Sequence, residues 1–145
     1  MASTSAYAVD IPTIFGRVLA ALRDEQGDSK TSFARRLKWD RNVLMRLESG
    51  QSAVTIGDLI RLERTLKKAG QPIDVGDLTA LTARVANVLW NRDVRVSYGW
   101  GRRSRMREDE APLETAALDR VVAVVLDKWF EKEGWVDGPY DDDWG

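Results

Sequence analysis

The sequence predicts a mainly α fold: five short helices, two of them joined by a minimal turn, followed by a mostly helical C-terminal extension with a candidate short β-hairpin. Three observations lead there. Apolar residues recur at three- and four-residue spacing, the period of a helix with one buried face. Residues able to cap a helix, Ser29, Asp40, Thr55 and Asp74, stand immediately before four of these runs. Glycines at 27, 50 and 70 follow three of them, where a left-handed residue commonly ends a helix.

Ile14, Val18 and Leu22, with Leu19 beside them, place the first helix over residues 12–26, with Pro12 in its first turn. Ser29 caps a short second helix reaching residue 37, with Phe33, Ala34 and Leu37 turned inward. Lys38 and Trp39 make the turn, and Asp40 caps a third helix buried through Leu44 and Leu47. The fourth helix starts after Thr55, with Ile56, Leu59, Ile60, Leu62 and Leu66 as its apolar residues and Gly70 as its stop. The fifth starts after Asp74 and carries Leu78, Leu81, Val85 and Leu89 to about residue 91. Val94, Val96 and Tyr98 alternate with polar residues, which suggests a strand and is read here as part of a hairpin or loop. A last helix spans residues 113–132. Its centre, residues 121–126, is apolar nearly all round and is expected in a core or an oligomer interface.

Charge is uneven along the chain. Net charge is −1, yet residues 1–70 hold 12 Lys and Arg against 8 Asp and Glu, while residues 113–145 hold 3 against 9. Phosphate attraction follows that local distribution more than the total. There is no cysteine and no histidine. Disulfides, thiolate nucleophiles, Cys-based zinc sites and the commonest general base are therefore excluded, and no catalytic, metal or cofactor residues are assigned. No apolar run approaches the length of about 20 residues that crosses a bilayer. The opening MASTSAYAVD has neither a basic region nor an apolar core, so a cytoplasmic protein without a signal peptide is expected.

A short helix, a tight turn and a capped second helix form the geometry that presents a helix to the DNA major groove. If Val43, Leu44 and Leu47 are buried, then Arg41, Asn42, Met45 and Arg46 lie on the outer face. Arg and Asn pair bidentately with guanine and adenine edges. The stretch Phe33-Ala34-Arg35-Arg36-Leu37, then residues 40–50 ending in Leu47-Glu48-Ser49-Gly50, then residues 55–66, resembles the Cro and phage-repressor family, also called xenobiotic-response-element type. The resemblance covers about residues 14–70. It implies a helix-turn-helix fold in which Arg41, Asn42, Met45 and Arg46 read bases. It also implies phosphate contacts at Ser29, Lys30, Thr31, Arg35, Gln51 and Ser52. The family usually has glycine where this chain has Lys38, so a left-handed lysine is expected at a cost of roughly 1 kcal/mol. Glu48 is read as a structural residue paired inside the domain.

On this reading residues 11–70 form the DNA-binding domain, residues 71–135 a helical dimerisation or partner-binding region, and residues 136–145 an acidic tail. The expected function is a transcriptional regulator, a repressor that binds an inverted-repeat operator on double-stranded DNA as a homodimer. Val121, Val125, Trp129 and Phe130 are the expected dimer interface. The alternative is an antitoxin-like or phage-encoded module that holds a protein partner through the acidic, Trp-rich C-terminal region. Arg102–Arg107 is read as an exposed loop neutralised by Glu108–Glu110, with a basic arm for the minor groove as the second reading.

Overall fold

The computed structural model describes residues 6–98 and 107–131. Strand β1 (Tyr7–Asp10) runs straight into helix α1 (Ile11–Glu25). Asp10 is the hinge between them: its backbone is extended, and its side chain accepts the Thr13 amide at 2.9 Å. Helices α2 (Lys30–Leu37), α3 (Arg41–Glu48), α4 (Ile56–Lys68) and α5 (Val75–Asn91) follow. The four caps expected at Ser29, Asp40, Thr55 and Asp74 are all formed. Thr55 and Asp74 each complete a reciprocal capping box with an aspartate three residues on. Strand β2 (Val94–Ser97), the two-residue β3 (Ala111–Pro112) and helix α6 (Thr115–Glu131) complete the described chain.

Lys38 closes α2 with φ 59° and ψ 38°, the left-handed conformation expected for the turn. Its amide donates to Arg35 O, and that of Trp39 to Ala34 O, so the carbonyls at the end of α2 are satisfied. Helix α1 is the hub. It packs against α3 on one side and against α5 and α6 on others. One apolar core runs from Phe33, Leu44 and Leu62 through Ile14, Val18 and Leu22 to Leu81, Val85, Val122 and Leu126.

The hairpin reading is corrected. Residues 94–97 do form a strand that alternates buried and half-buried side chains, but its partner is β1, in parallel, with Tyr7 opposite Val94 and Asp10 opposite Ser97. The sheet order is β2-β1-β3, and β3 also runs parallel to β1. A parallel pair cannot be closed by a tight turn. Here the crossover from β1 to β2 is the whole succession of helices α1 to α5. The alternation in the sequence was sound, but the partner lay in the opening residues, where no strand was expected.

A charged clamp spans this small sheet. Arg95 of β2 donates to both Glu110 oxygens, at 2.7 and 2.8 Å, across the central strand, and the Arg107 amide donates to Glu110 at 2.8 Å. These donors favour the ionised carboxyl and lower the pKa of Glu110 from 4.5 to about 2. Because the folded-state pKa is depressed, the clamp contributes fully above the unfolded value and is lost as pH falls from 4.5 towards 2. A carboxyl NMR titration should place the Glu110 midpoint near 2, and Arg95→Met should return it towards 4.5.

Candidate nucleic-acid interface

Helix α3 has two chemically distinct sides. Leu44 and Leu47 are buried and Val43 half-buried, whereas Arg41, Asn42, Met45 and Arg46 are exposed, Met45 by 40%. The helical period separates these sets, since positions 41, 42, 45 and 46 share one face. Asp40 caps the helix through the Asn42 amide at 2.9 Å, which holds its N-terminal end in shape without engaging the Asn42 side chain. Among the described residues, no hydrogen bond or ion pair occupies the side chains of Arg41, Asn42 or Arg46. That face therefore presents two guanidinium groups and one carboxamide with their donors and acceptors open to a ligand.

The opposite side of α3 is held unusually close to α1. At Gly16 a Cβ would lie 2.5 Å from the carbonyl oxygens of both Leu47 and Glu48. Gly50, at φ +77°, sits against Thr13 with as little room. Two glycines thus let the end of α3 and its exit turn rest on the backbone of α1. Beside them lies a buried ion pair. Arg23 of α1 donates from Nε and Nη2 to the two Glu48 oxygens at 2.8 and 3.1 Å, and from Nη1 to Asp28 O at 2.9 Å. The Glu48 hydrogen bonds raise the pKa of Arg23 above its ordinary value, against the opposing effect of burial. The expectation that Glu48 pairs inside the domain is met, although no sequence signal identified Arg23 as its partner.

The residues expected at phosphates lie on two neighbouring stretches. Ser29 Oγ accepts the Ser32 amide at 3.1 Å, which leaves its hydroxyl hydrogen to donate elsewhere. Lys30 is half-buried, and Thr31 and Arg35 are exposed at the start and outer side of α2. Arg35 and Arg36 are adjacent in sequence but differ in engagement. Arg36 is tied to Asp28 and Gln26 and lies over the Phe33 ring, while Arg35 has no such partner among the described residues. Gln51 is exposed and Ser52 half-buried in the turn after α3. The Gln51 amide donates to Arg46 O at 2.9 Å, so the end of the exposed helix fixes the course of that turn.

The expected dimer residues are placed differently. Val121, Val125 and Trp129 are only 5%, 3% and 2% exposed, and they lie in the chain's own core with α1 and α5. The apolar centre of α6 is used inside the chain, because α1 needs cover on the side that α2 to α4 leave open. Phe130 is half-buried. Arg102, Arg103 and Arg105 of the basic run lie outside the described residues, as do Trp135, Tyr140, Trp144 and the acidic tail.

Two substitutions test how α3 is held. Glu48→Ala should cost about 3–5 kcal/mol in urea unfolding because it strands a buried guanidinium, whereas Arg23→Met with Glu48→Leu should cost far less. Gly16→Ala should cost about 2 kcal/mol by forcing α3 off α1.

Among the described residues no helix is long and apolar enough to cross a membrane. No curated protein and no solved structure matches the chain. Residues 14–72, from the first turns of α1 to just before α5, match the family model of a helix-turn-helix domain, in agreement with the α2–turn–α3 geometry described above.

Proposed function

We propose that the protein is a sequence-specific transcriptional regulator of the Cro and phage-repressor type, which binds an inverted-repeat operator as a homodimer and acts as a repressor. The observation that carries this reading is the outer face of α3. Arg41, Asn42, Met45 and Arg46 are exposed and uncommitted on a helix whose inner side is fixed by a buried ion pair and two glycine contacts. A base-reading helix requires that combination: side chains free to pair with base edges, on a backbone that does not move when they do.

In this reading Arg41 and Arg46 donate to guanine edges, Asn42 pairs with adenine, and Met45 packs against a thymine methyl. The first amides of α2, with Ser29, Lys30, Thr31 and Arg35, would hold one phosphate stretch. Gln51 and Ser52 would hold the next. Phosphate contacts set the position of the helix and base contacts select the site. A single eight-residue helix reads only a few base pairs, so two copies related by a two-fold axis would supply the remaining selectivity. With the centre of α6 buried, the large apolar side chains of α5 and α6 that stay exposed among the described residues are Trp90 and Val124, beside half-buried Phe130.

Selection of bound fragments from random double-stranded DNA, at stated salt, should return a two-fold symmetric motif. On that motif Arg41→Ala and Arg46→Ala should each cost about 1–3 kcal/mol and relax the preference at one base position. Lys30→Ala should weaken all sequences alike and flatten the salt dependence. An Arg41→Ala/Arg46→Ala protein that held the selected DNA as tightly as the parent would overturn the assignment.

A further inference from the structure

A second concave site lies between α1, α4 and α5 and shares no residue with the exposed face of α3. It is a pocket of about 390 Å³. Pro12 and Phe15, both buried, and half-buried Val54 and Leu59 line it. Thr79 and Thr82 of α5 line it as well. Their hydroxyls donate to Val75 O and Leu78 O of their own helix, at 2.8 and 2.9 Å. The threonine oxygens are thereby left as acceptors only. The rim carries exposed Ala83 and Tyr98, and no charged side chain among the described residues lines the pocket.

We infer that this pocket is a binding site for a neutral, largely apolar small molecule, of two- or three-ring size, carrying one or two N–H or O–H groups. Its volume lies within the range of ligand pockets, about 300–1,000 Å³. An anion is disfavoured because the described walls offer no cation and, as a free donor, only the exposed Tyr98 hydroxyl at the rim, and an unpaired charge is costly to bury. A hydrogen-bond donor on the ligand would meet Thr79 Oγ1 or Thr82 Oγ1, while the rest of its surface replaces water against aliphatic and aromatic carbon. The site also touches the machinery around α3. Val54 belongs to the segment joining α3 to α4, which carries Gln51 and Ser52, and Pro12 is adjacent to Thr13, on which Gly50 rests. A ligand that wedges Val54 and Leu59 against α1 therefore acts on the exit turn of α3. That regulatory half rests on the DNA-binding reading above.

The test uses the full chain and N-phenyl-1-naphthylamine, a neutral fluorophore with one N–H, whose emission rises in apolar surroundings. Saturable binding near one probe per chain is expected. Ala83→Trp, at an exposed rim position and checked for folding by circular dichroism, should weaken it by about tenfold or more. The sulfonated analogue 1-anilinonaphthalene-8-sulfonate should bind by about tenfold more weakly than the neutral probe. Absence of saturable binding, insensitivity to Ala83→Trp, or equal binding of the sulfonate would overturn the site. So would binding that appears only in Trp100→Ala, which would make the chain's own segment after Tyr98 the occupant. Affinity for the selected DNA should shift at least about threefold when the probe is saturating, and an unchanged affinity would overturn the coupling. If no DNA is bound under any condition while probe binding keeps its sensitivity to Ala83→Trp, the DNA reading fails and the site stands.

Discussion

The arrangement of the N-terminal half depends on one constraint: α3 must rest on the backbone of α1. Arg23 and Glu48 supply the directional part of that contact, with two hydrogen bonds between buried groups. Gly16 supplies the steric part by leaving no side chain between the helices. A buried pair of this kind gives little net stability, because desolvation offsets the attraction. What it gives is uniqueness. Only one rotation of α3 puts Glu48 opposite Arg23, and that rotation leaves Arg41, Asn42 and Arg46 facing outward.

The turn before α3 follows from the same constraint. Lys38 accepts a left-handed backbone that glycine would take more cheaply. Arg61 of α4 then donates to Leu37 O at 3.2 Å and ties the end of α2 to the helix beneath it. The strain is local and is balanced by hydrogen bonds from the residues that flank it. A capped start, a fixed end and a tied-down turn make α3 rigid although it is only two turns long, a length at which an isolated helix would not hold together.

Legibility in the sequence followed the range of the interactions. Caps at Ser29, Asp40, Thr55 and Asp74 act within three residues, and each was readable from the residue types alone. The division of α3 into two faces was readable for the same reason. The parallel sheet was not: β1 has four residues, and its partner stands across well over half of the chain. Residues 121–126 showed that the centre of α6 is buried without showing what buries it, since a core and a subunit interface draw on the same side chains. Arg35 and Arg36 are chemically identical neighbours, and only the positions of Asp28, Gln26 and Phe33 distinguish the engaged one from the free one. The pocket was invisible because its walls come from four separate segments.

The parallel pairing of β1 with β2 has a consequence for biosynthesis. As the chain leaves the ribosome, β1 emerges well before residues 94–97 and lacks that neighbour until they have been made. Throughout that interval α1 can dock on α2 to α4, but its other side, which α5 and α6 later cover, faces water. The N-terminal half is thus assembled early and finished late. A chain without α6 would have its exposed guanidinium face already formed and an uncovered apolar flank, the kind of species that chaperones and proteases recognise.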